Sequence, residues 1–158
     1  MPPFARLLLP AALAAEMIAH ARRELPNECC GLLAGTTDGD AGRVTTRFTI
    51  RNDAASPTEY ATNPRDLLAA FRAMRQTNAE PLAFYHSHPT SAAVPSAKDV
   101  ARNTYGETVV HVIVGLADET PDVRAWWLER DGYRAAALVV GGTAVAQQAP
   151  PDPPRPPP

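Results

Sequence analysis

Two histidines, His86 and His88, stand two positions apart in a run that reads as extended from Pro81 and stops at Pro89. Side chains alternate across a strand, so both imidazoles share one face and Ser87 takes the other. One metal ion can then take both rings, although His-x-His also occurs as ordinary strand content. Eight residues after His88 comes Ser96, with Asp99 three further on. By themselves these two read as a capping box with Asp in place of Glu. Together, two histidines and an aspartate make a three-ligand zinc set with an open fourth position, the arrangement of catalytic rather than structural sites. Zinc lowers the pKa of a bound water to about 7, so hydroxide becomes available near neutrality. Such a site needs a general base. Glu28, at the mouth of a strand after Pro26-Asn27, is the best candidate.

The elements that must position these residues are legible in outline. Pro10 suits the first position of a helix running to about Glu24, with Leu13, Met17, Ala21 and Leu25 as its buried stripe. Cys29 to Ala34 reads as a short apolar strand. After the Asp38–Gly42 turn cluster, Val44, Thr46, Phe48 and Ile50 alternate as a half-buried strand. Asn52 to Ala61 is loop. Asn63 caps a second helix with Pro64 at its first position, and Ser96 caps a short one ending near Gly106. Val109 to Val114 is nearly continuous apolar strand, which implies burial on both faces. Asp131-Gly132 joins Val123–Arg130 to Tyr133–Val140 as a hairpin.

The 158 residues suffice for one domain whose core needs no disulfides, and they are too few for an eight-stranded (β/α) barrel. The net charge of −2 offers no electrostatic case for nucleic acid. No run approaches the ~18 apolar residues of a membrane span. Cys29 and Cys30 are adjacent, too close for an ordinary bridge, which fits a thiol-keeping compartment and a cytoplasmic location. Of the 17 prolines, seven lie in 150–158. The chain therefore divides into a domain over 1–142 and a proline-rich, disordered tail over 143–158.

Glu28 in Pro26-Asn27-Glu28-Cys29-Cys30-Gly31, then His86-Ser87-His88-Pro89, then Ser96-x-x-Asp99, resembles the JAMM (MPN-plus) metalloprotease motif, most closely its small prokaryotic branch. The resemblance covers the chain from about Leu7 to Val140. It implies an α+β single domain, a curved mixed β-sheet flanked by helices. It implies one zinc per chain held by His86, His88 and Asp99. Glu28 is then the base that moves a proton from water to the leaving amine, and Ser96 the donor to the oxyanion. The substrate it implies is the amide bond after the C-terminal tail of a ubiquitin-like protein, cut as a peptide or an isopeptide. The short segment from Asp99 to Thr108 and the lack of Cys and His for a second zinc favour a prokaryotic sulfur-carrier protein over polyubiquitin.

Two rivals share the fold: a non-catalytic scaffold, and a metallopeptidase on general peptides. A nucleoside deaminase is excluded, because neither His-x-Glu nor Pro-Cys-x-x-Cys is present. Elsewhere, His20 reads as part of a solvated helix face, His111 as core or packing near the site, and Tyr60 as a possible substrate contact. Trp126 and Trp127 face opposite ways, which predicts that at least one lies near the surface.

Overall fold

Strand-forming runs dominate the computed structural model, which describes residues 2–146. In chain order the elements are β1 (Arg6–Leu9), α1 (Ala11–Arg23), β2 (Cys30–Asp38), β3 (Ala41–Ile50), α2 (Pro64–Gln76), β4 (Glu80–His88), α3 (Ala97–Ala101), β5 (Val110–Gly115), β6 (Asp122–Glu129), β7 (Gly132–Ala135), β8 (Ala137–Val140) and β9 (Thr143–Ala144). One mixed sheet holds every strand, in the order β7-β6-β5-β4-β2-β3-β1-β8-β9. β4 and β5 run parallel, as do β1 with β3 and β1 with β8. The architecture is the expected α+β single domain, a curled mixed sheet with three helices. Among the described residues, no helix is long and apolar enough to cross a membrane.

Period-two patterning sorts the side chains into two layers. On one face Cys29, Leu33, Tyr85, Val110, Val112 and Trp127 pack with Met17 and Ala21 of α1. On the other, Cys30, Leu32, Ile50 and Phe84 meet Ala70 and Met74 of α2, while Ile113, Trp126 and Leu128 lie against Ala93 and Val100. Leu7 of β1 and Trp127 of β6, far apart in the strand order, share the α1 cluster, so the sheet must curl around that helix. The curl covers Trp127, and the segment at Ala93, whose carbonyl accepts from Trp126 Nε1, covers Trp126 on the other face, so the two are 2% and 3% exposed, contrary to the expectation that one lies near the surface.

Local signals explain the helices that frame the site. The Asn63 side chain accepts from Asp66 N, as the cap reading requires, and Pro64 opens α2. α3 stops at Ala101 rather than near Gly106, because Asn103 Oδ1 accepts from Tyr105 N and turns the chain out of the helix. β1 is not foreshadowed in the sequence. Its partners lie at least 30 residues away, and a four-residue Leu-rich run carries no period of its own. The Asp131-Gly132 hairpin forms, but its second strand divides at Ala136: β7 stays on β6, and β8 leaves for β1. Strand pairing continues past residue 142 through β9, and the proline-rich tail lies outside the described residues from 147 onward.

His20 is not on a solvated face. It is 2% exposed, and its Nδ1 meets the Tyr85 hydroxyl at 2.8 Å. The same hydroxyl accepts from Arg47, which is paired in turn with Glu16. Burial, with Arg47 and Arg23 nearby, lowers the His20 pKa to about 4. The unfolded chain therefore takes up this proton first, near pH 6.5, and the stability that neutral His20 contributes fades as pH falls from there toward 4. Thermal melts at pH 7 and pH 5 should show wild type losing on the order of 1–2 kcal/mol more than His20→Gln over that interval.

Gly35 sits where the register of β2 shifts against β3, and a Cβ there would lie 1.8 Å from Arg43 O. Backbone cannot give way as a side-chain tip can. Gly35→Ala should cost about 1–3 kcal/mol in urea unfolding. Gly132→Ala, where a Cβ meets nothing within 4 Å, should change little.

Candidate active site

The strand β4 puts His86 and His88 on the α2 face, as alternation requires, and both are buried. Ser87, on the opposite face, joins β4 to the entry of β2. Its Oγ accepts from Cys29 N at 2.8 Å, and its own N–H donates to Cys29 O at 3.1 Å. With Cys30 opposite His86, this register brings Glu28 alongside the histidines. Across the sheet, α3 presents Asp99 from its first turn. The sequence-expected residues Glu28, His86, His88, Ser96 and Asp99 thus converge from the segment entering β2, from β4, and from α3 with its cap.

The separations fit a four-coordinate ion. His86 Nε2 and His88 Nε2 lie 3.2 Å apart, and Asp99 Oδ2 is 3.1 Å from the first and 3.3 Å from the second. Donors about 2.0 Å from a tetrahedral centre stand about 3.3 Å from one another. The tautomer of His88 agrees. Its Nδ1 is 2.8 Å from Ala92 O, a pure acceptor, so Nδ1 carries the hydrogen and the Nε2 lone pair faces the triangle. His86 Nδ1 has no partner to fix its tautomer, and three potential metal-ligating atoms stand in mutual contact with room for one cation among them.

Glu28 completes the site from one step further out. It is 4% exposed, its carboxylate lies within 4.8 Å of both histidine donors, and Oε1 has no partner. Burial pushes its pKa up to about 7, with His88 pulling back and Asp99 adding to the rise. Asp99 behaves in the opposite sense. Burial disfavours its charge, yet the close approach of the His86 and His88 rings and the Ser96 N–H hold its carboxyl below the usual range. Ser96 Oγ accepts from Asp99 N at 3.1 Å, and Ser96 N donates to Asp99 Oδ2 at 2.9 Å. The capping box is real, and it positions a donor of the triangle.

One residue with a place here, Asn52, was not singled out in the sequence. Asn52 is a hub: its Nδ2 donates to Glu28 O and Glu59 O, while its Oδ1 accepts from Ala54 N and Ala61 N. An asparagine in a loop offers only a weak sign of this role, since its partners are backbone groups. Tyr60 lies with its ring 4.5 Å from the His86 ring, stacked. The cysteines fall on opposite faces, as alternation predicts, and burial raises both thiols, Cys29 to about 11 and Cys30 to about 12. Neither is a nucleophile at neutral pH.

Asn52→Ala should leave four backbone groups short of a partner. We expect faster amide exchange at Ala54 and Ala61 and a stability loss of about 1–3 kcal/mol.

With this geometry established, known proteins add a frame. Residues 10–129 match the family model described as prokaryotic homologs of the JAB domain. The CysO-cysteine peptidase of Mycobacterium tuberculosis is 39% identical over 94 residues, 60% of this chain and 63% of that protein. This chain therefore matches less than two thirds of that relative's length. A probable TtuB-protein conjugate cleaving protease of Thermus thermophilus is 36% identical over 135 residues, 85% of this chain and 83% of that one. The solution structure of protein DSY2949 from Desulfitobacterium hafniense superposes with a TM-score of 0.77 at 34% identity, covering 85% of this chain and 92% of that one.

Proposed function

Because this chain belongs to the family of prokaryotic homologs of the JAB domain, we propose that it is a zinc-dependent peptidase acting on the C-terminal tail of a ubiquitin-like or sulfur-carrier protein. The observation that carries this reading is the triangle of His86 Nε2, His88 Nε2 and Asp99 Oδ2, with the unpartnered Glu28 Oε1 beside it. Two relatives are named for cutting conjugates of this kind, one of CysO with cysteine and one of TtuB with protein. In this reading His86, His88 and Asp99 hold one zinc ion. Bound there, zinc supplies a Lewis acid that makes water nucleophilic near neutral pH.

The remaining tasks fall to the chain's own side chains. Glu28 Oε1 accepts a proton from the attacking water and passes it to the departing amine nitrogen. A carboxylate whose pKa lies near 7 suits both halves of that transfer. Ser96 gives its lone pairs to the cap of α3 and keeps a hydroxyl hydrogen to donate to the oxyanion. Tyr60, stacked on His86, holds that ring in plane and keeps water from its face. The reduced, buried cysteines support a cytoplasmic setting.

Elemental analysis should find close to one zinc per purified chain, and most of it should be lost in Asp99→Ala. Glu28→Gln should keep its zinc while kcat/KM on a carrier conjugate falls about 10²–10⁴-fold. Absence of zinc after reconstitution, or undiminished activity in Glu28→Gln, would leave a non-catalytic scaffold of the same fold. Equal rates on short unstructured peptides and on a folded carrier would make it a general peptidase.

A further inference from the structure

The carbonyl that meets the His88 ring belongs to a turn gripped by residues remote from both histidines in the chain. Ala92 O lies 2.8 Å from His88 Nδ1 and also accepts from Val94 N at 2.8 Å, which closes a three-residue turn on Ala93. The two lone pairs of that one oxygen serve both bonds. At the centre of the turn Ala93 is 1% exposed, and its own carbonyl accepts from Trp126 Nε1 of β6 at 2.8 Å. Gly115, beside His88 in the β4–β5 register, comes close to the same peptide. A Cβ there would stand 2.8 Å from Ala93 N and 3.3 Å from Ala92 C. Glycine inside a strand often marks such a close approach of backbones. The next residue, Leu116, donates its N–H to His88 O at 3.0 Å. Thr90, Ser91 and Ala92 are exposed, so the turn is held from its inner side.

We propose that Trp126 and Gly115 are positioning residues for the metal centre: they clamp the turn at Ala93 so that Ala92 O orients the His88 ring. The proposal rests on the zinc reading above for the ion at which Nε2 is aimed. A neutral imidazole carries its hydrogen on either nitrogen, and only the bare one ligates. Ala92 O, which can only accept, selects Nδ1–H and leaves the Nε2 lone pair for the ion. A turn that relaxes withdraws this selection, and a ring with its hydrogen on Nε2 cannot bind. His86 shows the contrast, because its Nδ1 is buried without a partner. His88 is the ring whose orientation the fold determines.

Packing alone does not account for the choice of tryptophan. Trp126 shares its cluster with Ala93, Ile113 and Leu128, and phenylalanine would supply apolar contact there. The indole adds an N–H, which in a core requires an acceptor, and the acceptor is the turn. Val100, next to Asp99 on α3, packs against the same cluster. One group of side chains thus backs both the turn that orients His88 and the helix that delivers Asp99.

The test uses the full chain, metal-free and zinc-loaded, with two readouts. Nitrogen-15 NMR at alkaline pH, where imidazole is neutral, reads the His88 tautomer in the metal-free protein. Competition with a chromophoric chelator reads the zinc Kd. Wild type should show His88 with its hydrogen on Nδ1. Trp126→Phe and Gly115→Ala should each mix the two tautomers. Each should also raise the zinc Kd about three- to tenfold, short of the about 10–100-fold that follows loss of a ligand's direct outer partner. Leu128→Val trims the same cluster without a hydrogen bond to the turn, and should leave both readouts at wild-type values. A tautomer or a Kd that stays at the wild-type value in the clamp variants, or an equal change in Leu128→Val, would overturn the proposal. Trp126→Phe decides if Gly115→Ala does not fold. If wild type binds no zinc, the tautomer alone decides the clamp, and it is the peptidase reading that falls.

Discussion

The antiparallel pairing of β2 with β4 is the constraint on which the site depends. Ser87 stitches Cys29 to β4 through two hydrogen bonds, and Cys30 falls opposite His86. Because side chains alternate, a slip of one residue would turn both histidines toward α1 and carry Glu28 away from them. The parallel pairing of β4 with β5 adds the second condition. It requires a crossover, and that crossover carries α3 back over the carboxyl end of β4, where it delivers Asp99. Crevices at the carboxyl ends of parallel strands are where open α/β sheets bind ligands. This sheet uses one parallel pair to make such a crevice.

Most of the elements and the pairing of the two histidines were legible in the sequence because they rest on short-range rules, whereas the curved mixed sheet was implied only by the resemblance of the motif. Period two placed His86 and His88 together, and cap chemistry located Asn63 and Ser96 before any contact was known. What escaped was determined by contacts distant in the chain. β1 exists because β3 and β8 flank it. His20 looks like a surface residue when read only against Glu16 and Glu24, and it is buried because Tyr85 meets it from β4. Trp127 is covered because the sheet curls around α1 and Trp126 because the segment at Ala93 crosses the other face, and no local pattern announces either. Asn52 organises the loop behind Glu28 through backbone groups, which have no identity in a sequence.

Polar atoms left without partners gather on one face of the sheet. Glu28 Oε1, His86 Nδ1 and both nitrogens of His111 are buried and unpaired. Each such atom costs free energy in the core, and three residues of this kind lie on the face where β4 and β5 meet α3. Tyr85, beneath the same strands on the α1 face, shows the contrast, with its hydroxyl bonded to both His20 and Arg47. The α1 layer satisfies its polar groups internally, while the α3 layer leaves them for something that arrives from outside.

Asp99 Oδ2 serves two masters. It accepts the Ser96 N–H that opens α3, and it stands in contact with both imidazoles. A helix of five residues cannot hold itself together through its own backbone bonds, so this one oxygen anchors a segment of structure as well as a corner of chemistry. The consequence is historical. On the proposed chemistry, a descendant of this chain that no longer hydrolyses cannot discard Asp99 freely, because the same change removes the Ser96 N–H bond of the capping box and leaves α3 with the single cap from the backbone N–H at position 99 to Ser96 Oγ. Survival of the fold without the proposed reaction would then depend on that remaining cap, or on a side chain at position 99 that still accepts the Ser96 N–H.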